Sequence, residues 1–152
     1  ADKVYGEAML TMQSREKKDA IVAEAARILK PGGRYGIHEI ALQPAEISDE
    51  KKREIRHELQ MGIRTSVHPL TRREWEELLG RHGMQVEYVY ENGMLLLEPK
   101  RMIDDEGLWS FLLIQLRMLF NRNARQAVLR MRSCFRKYRQ HLTGITIVAR
   151  KM

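Results

Sequence analysis

Two adjacent side chains, His38 and Glu39, form the pair in this sequence best suited to moving a proton. They lie in the run RYGIHEIAL, whose β-branched and aromatic content predicts a strand, so the two point to opposite faces and only one of them can serve a given pocket. An imidazole, with an ordinary pKa of about 6.5, could take a proton from a hydroxyl or amine nucleophile near neutral pH. The competing reading is structural, since a histidine within a covered strand is commonly held by a hydrogen bond. His57 and His68 sit on or just after a polar helical segment. His82 falls in the last turn of a helix, where the dipole favours positive charge. No two histidines have the spacing of a metal site, and the single cysteine, Cys134, offers neither an internal disulfide nor a ligand cluster. Metal is therefore not expected, and one lone thiol fits a reducing cytoplasm.

The elements that position these residues follow from periodicity and punctuation. Val4 and Tyr5 read as a strand already under way, so the chain is expected to begin inside an element. Ser14 is a helix N-cap, and Ile21, Val22, Ala25, Ile28 and Leu29 recur at helical spacing until Lys30-Pro31-Gly32-Gly33 stops the helix. Strand, helix, turn and strand in this order imply two parallel neighbours joined by a right-handed crossover. Tyr35, Gly36, Ile37 and Ile40 put apolar or small groups on both faces of the second strand, which suits a sheet covered on both sides.

A charge-rich helix carrying Ile55, Leu59 and Ile63 ends before Pro69. Thr71 and Glu74 form a capping box that opens a helix with Trp75, Leu78 and Leu79 on one face, stopped by Gly83. MQVEYVY predicts a strand, Glu91-Asn92-Gly93 a tight turn, and MLLLEP a returning strand or the start of an excursion. Two helices, Gly107 to Phe120 and Asn123 to His141, precede a β-branched strand in TGITIVARK. No internal repeat is present.

At 152 residues with 43% apolar side chains, the chain can bury one real core. Its longest apolar clusters are broken by charge and fall short of the roughly 20 residues that a membrane helix needs. The balance of 27 Lys and Arg against 20 Asp and Glu gives +7, much of it in the run from Arg122 to Arg139. That run invites nucleic acid as a partner. Ala127, Val128, Met131, Cys134 and Phe135 recur through it at helical spacing, however, and aromatic interleaving is sparse, so a solvated face of an amphipathic helix is the better expectation. Trp109, Leu112, Leu113, Leu116, Met118 and Leu119 are too many apolar groups to leave in water and must cover a core, a pocket or a partner.

A strand ending in YGEAML, a helix running into EAARILKPGGRYGIHE, the capped LTRREWEELLGRHGM helix and the late strand together resemble the class I S-adenosylmethionine-dependent methyltransferases. Lys30 to Gly33 followed by Arg34 to Leu42 match that family's turn into its fifth strand. The resemblance implies an α/β fold, a partial Rossmann-like methyltransferase sheet. Lys3 to Met9 would be its fourth strand, Arg34 to Leu42 its fifth, Met84 to Tyr90 its sixth and Gly144 to Lys151 its seventh and antiparallel one. Strands one to three have no counterpart, and no G-x-G opens a helix here. Residues 98–142 would be a helical insertion between the last two strands, resembling a subgroup in which such an insertion packs beside the substrate opening.

By the same resemblance, Gly6, Glu7, Ala8, Leu10, Thr11 and Met12 would border S-adenosylmethionine, and His38 or Glu39 would lie near the acceptor. The implied activity is methyl transfer to a small molecule in an intact parent, with the cofactor site incomplete on this chain. The alternatives are a non-catalytic half-fold that self-associates and a nucleic-acid binder acting through the Arg-rich helix. An unpaired inner edge of the fourth strand predicts a homodimer across that edge, or its burial by the insertion.

Overall fold

The computed structural model describes residues 1–93 and 121–152 and, between them, Gly107, Trp109, Ser110, Leu112, Leu113, Ile114 and Leu116. The elements run β1 (Lys3–Glu7), α1 (Arg15–Ile28), β2 (Arg34–Leu42), α2 (Asp49–Ile63), β3 (Leu70–Thr71), α3 (Arg72–Arg81), β4 (Met84–Gly93), α4 (Arg122–Lys137) and β5 (Leu142–Lys151). Each of these helices opens on a side chain that satisfies an otherwise orphaned amide. Ser14 accepts from Lys17 N, Ser48 from Lys51 N and Asn121 from Ala124 N, while Thr71 and Glu74 form the reciprocal capping box. At the other end of α1 the Lys151 ammonium donates to the carbonyls of Ala26 and Leu29, both at 2.7 Å, which ties β5 to that helix.

The sheet order is β1-β2-β5-β4, with β1 parallel to β2 and both β5 pairings antiparallel. Beyond the end of β1, the short β3 pairs in parallel with Ala41 and Leu42. Alternation along β2 sends Tyr35, Ile37, Glu39 and Ala41 into the interior. There the apolar members pack with Val22 and Ala25 of α1, Trp75 and Leu79 of α3, and Ile145 and Ile147 of β5. A second cluster gathers Leu42 and Leu142 with Ile55 and Leu59 of α2 and Phe135 and Tyr138 at the end of α4.

Among the described residues, the expectation of a sheet covered on both sides holds for one face only. On the other, among the described residues, α2 and α4 cover the end near Leu42 and Leu142, while Tyr5, His38, Tyr88 and Tyr90 remain exposed. The turn expected at Glu91-Asn92-Gly93 is not made. These residues continue β4, pairing with Ile145, Gly144 and Thr143, and the Thr143 hydroxyl donates to Asn92 O at 2.8 Å. A register shift between Val86 and Tyr88 keeps Val86 and Val89 packed on the core and leaves both tyrosines outside. The last helix ends at Lys137, earlier than the expected His141. The MLLLEP segment and most of the apolar stretch 107–120 lie outside the described residues; within that stretch Trp109, Leu112, Leu113 and Leu116 are exposed. No helix among the described residues is long and apolar enough to cross a membrane.

Candidate functional site

The loop leaving β1 is fixed from below by one side chain. Ala8 N donates the last ladder bond to His38 O at 2.8 Å, and Ala8 then takes φ 50°, a left-handed conformation unusual for a residue with a Cβ. The chain turns there, and the Glu39 carboxylate receives it. Glu39 Oε1 accepts from Met9 N at 3.0 Å and Leu10 N at 2.8 Å, and Oε2 accepts from Thr11 N at 2.9 Å and Thr11 Oγ1 at 2.7 Å. Thr11 Oγ1 in turn accepts from Ile40 N at 3.2 Å, and Thr11 O accepts from His68 N at 2.7 Å. A carboxylate that is only 3% exposed needs such partners, because burying it unpaired would cost several kcal/mol. Its charge is felt nearby: the Tyr35 hydroxyl is pushed up to about 12, mainly by burial and further by Glu39.

The candidate cofactor-wall residues divide by side. Glu7 and Ala8 are exposed and Gly6 is half-buried, while Met9 and Met12 hold thioethers at the surface. Leu10 and Thr11 do not face outward. Leu10 enters the core beneath the loop and Thr11 is spent on Glu39 and the backbone, so both shape the wall from behind. This is the carboxyl end of the parallel pair β1 and β2, where open α/β sheets place their ligands.

The pair His38 and Glu39 splits between faces. Glu39 goes inward as the loop anchor, leaving none of its oxygens for a substrate. His38 goes outward, with Nδ1 3.6 Å from Glu7 Oε1, both side chains more than half exposed. His82 Nε2 meets Asp19 Oδ1 at 3.0 Å, and His57 is exposed on α2. Among the described residues, no group of three or more His, Cys, Asp and Glu could hold a metal ion. On α4, Cys134 and Phe135 are buried, and the exposed Lys137 pairs with Glu58 at 3.4 Å.

One buried charge lies outside the expected site residues. Lys18 is 2% exposed, donates to Gln13 O at 2.7 Å and lies 5.9 Å from the Trp75 ring centroid. Its position was marked in the sequence, because Lys18, Val22, Ala25 and Leu29 form one helical stripe and a lysine heads it. Burial, and then Arg56, lower its pKa to about 8, against the opposing pull of Glu39.

No family model matches the chain. An uncharacterized protein of Haemophilus influenzae is 31% identical over 150 residues, which are 99% of this chain and 57% of the relative, so the chain spans just over half of that relative's length. Solved structures match the same 99% of the chain. Mycolic acid cyclopropane synthase CmaA1 in its apo form gives a TM-score of 0.68 at 15% identity, with 58% of its chain covered. Phosphoethanolamine N-methyltransferase 2 of Haemonchus contortus, in complex with S-adenosyl-L-methionine, gives 0.64 at 17% identity over 33% of its chain. The 4+2 cyclase SpnF gives 0.61 at 17% identity over 49% of its chain. At these identities the likeness is one of fold, and it agrees with the strand order described above. The chain has the Rossmann-like α/β fold of the class I S-adenosylmethionine-dependent methyltransferases, over a stretch that corresponds to the fourth to seventh strands of their sheet.

Proposed function

We propose that this chain supplies one wall of an S-adenosylmethionine-dependent methyltransferase that acts on a small molecule. The observation that carries the reading is the Glu39-anchored loop, Gly6 to Met12, held at the carboxyl end of β1 where this fold receives its ligands. The residues fit part of the cofactor. Backbone at Gly6 to Ala8 and the thioethers of Met9 and Met12 offer a largely uncharged surface, whereas this chain carries no glycine-rich turn for the amino-acid end. When bound, S-adenosylmethionine supplies a sulfonium methyl group to an acceptor nucleophile. Glu39 keeps the wall rigid so that an acceptor meets a fixed surface, which is how positioning contributes to rate. His38, exposed beside Glu7 at the same strand ends, is the base proposed to take the acceptor's proton. In this reading the protein works in a reducing cytoplasm, a setting that its single free cysteine, Cys134, supports.

Fold neighbours that include a cyclase show that this fold does not fix the reaction, so the test is direct. S-adenosylmethionine and S-adenosylhomocysteine are titrated by calorimetry into this chain and into the longer Haemophilus influenzae relative. Saturable binding to either, with the two ligands competing, supports the reading. Failure of both proteins to bind removes it.

A second reading rests on the open edge of β1. Among the described residues that edge pairs with nothing, and Tyr5 on it is 87% exposed. Self-association across this edge would satisfy its backbone groups. Light scattering at the mass of two chains, with slow amide exchange along Lys3 to Glu7, is expected if the edge pairs; a monomer with rapid exchange there ends this reading.

A further inference from the structure

A cavity of about 300 Å³ opens between the first turns of α1, the middle of α2, the segment before β3 and the outer face of α3. That is the lower end of the size range of small-molecule sites. Three cationic side chains without a carboxylate partner among the described residues line it, Arg15 and Lys18 from α1 and Arg56 from α2, together with the imidazole of His68 from the segment before β3, whose Nε2 lies 2.8 Å from Ser66 Oγ. The other charged groups around it are already committed. Glu74 accepts from Lys52 and closes the capping box with Thr71, Glu77 accepts from Arg73, and Arg81 donates to Asp19. None of Arg15, Lys18 or Arg56 has an ion-pair partner among the described residues.

The second observation is an orphaned donor. Arg56 spends Nη2 on Pro69 O at 3.3 Å, and its Nε is buried without a hydrogen-bond partner. Buried polar atoms left in this way are rare, and here Nε marks a guanidinium with no carboxylate among the described residues to neutralise it, a group whose remaining N–H donors suit the oxygens of a phosphate or carboxylate. We propose that this cavity is a binding site for a phosphate group, free or carried as a monoester by a small molecule, gripped by Arg56 and Lys18 with His68 and Arg15 at its rim. A dianion matches the charge that converges here, and the ammonium, the guanidinium and the imidazole approach it from three different segments, as a tetrahedral group requires.

The electrostatics agree. Burial and the positive charges of Lys18 and Arg56 hold the His68 imidazole below its ordinary value, with Glu16 opposing. Like charges confined together weaken one another until an anion joins them. The site stands independently of the methyl-transfer reading, although His68 N is bonded to Thr11 O and so links the cavity rim to the Glu39-anchored loop.

The test is calorimetric titration of this chain with inorganic phosphate and with glycerol 3-phosphate, against chloride at matched ionic strength. Saturable binding of either phosphate is expected, and the tighter of the two identifies the free or the esterified group as the occupant. Arg56→Gln is expected to weaken binding tenfold or more, while Arg125→Gln on the exposed start of α4 leaves it unchanged. A readout on the unmodified chain guards against a misfolded variant: proton NMR should show the His68 titration moving upward with phosphate and staying put with chloride. No saturable binding by the unmodified chain, equal binding by the Arg56→Gln and Arg125→Gln variants, or an unmoved His68 would overturn the site.

Discussion

A single oxygen of Glu39 accepts both the backbone N–H and the hydroxyl of Thr11, at 2.9 and 2.7 Å, while the other oxygen takes the amides of Leu10 and Met9. Because every partner is a donor, the group that fits must be acceptor-only. Glu39→Gln keeps the shape but turns an NH₂ toward donors on one side. Charged hydrogen bonds contribute about 1.5 to 3 kcal/mol each, so the variant is expected to lose about 3 kcal/mol in urea unfolding. Thr11→Val removes only the hydroxyl's two bonds and should lose about 1 to 2 kcal/mol. A Gln variant within about 0.5 kcal/mol of the parent would show that the loop is held by something else.

At φ 50°, Ala8 makes the turn that presents this loop. The left-handed conformation costs an L-residue roughly 1 to 2 kcal/mol, and a β-branched residue more. Ala8→Gly should therefore leave stability unchanged or raise it by about 0.5 kcal/mol, with the looser unfolded chain offsetting part of the relief. Ala8→Val should lower it by about 2 kcal/mol. Equal unfolding midpoints for the two variants would contradict the backbone assignment.

The elements with strong punctuation are legible in the sequence. Ser14, the Lys30 to Gly33 stop and the Thr71–Glu74 box mark ends that the structure places within a few residues. Glu91-Asn92-Gly93 carries a turn signal but forms strand, because a turn signal is local, whereas pairing with Thr143 to Ile145 comes from a strand about fifty residues away. Two-residue β3 was invisible for the same reason: Leu70 and Thr71 become strand only through Ala41 and Leu42. At the site, alternation separated His38 from Glu39 correctly, but no local pattern shows that a carboxylate will meet three amides from the loop after β1. Leu10 and Thr11 were expected at a ligand because they follow the strand. Which way each side chain points was decided by the turn at Ala8.

Lys18 gives the fold a pH dependence with a definite sign. Its pKa falls to about 8 in the folded chain from an ordinary 10.5, chiefly through burial. Below about 8 both states hold the proton, and the folded state carries the whole penalty of a buried ammonium. From about 8 to about 10.5 the unfolded chain keeps a proton that the folded chain has released, so stability from this group rises with pH. Lys18→Met lacks the penalty. Its stability advantage over the parent should shrink by on the order of 3 kcal/mol between about pH 7.5 and 10.5, as the two unfolding curves are compared at each pH. A difference that stays flat would mean that the ammonium is solvated.

The two tryptophans report on opposite environments. Trp75 is fully buried against β2, with Nε1 donating to Ile40 O at 3.2 Å, and Trp109 is 80% exposed. Acrylamide should therefore quench the fluorescence in two classes, one protected and blue-shifted. Trp75→Phe should remove the protected class and cost about 2 kcal/mol, since it shrinks a core side chain and takes away the indole N–H that donates to the Ile40 carbonyl. Trp109→Phe should remove the accessible class and leave the unfolding midpoint in place, because an exposed ring contributes little to a core it does not touch. If both rings were quenched alike, α3 could not be seated on β2 as described, and the Lys18 ammonium could not lie over the Trp75 ring as it does at 5.9 Å.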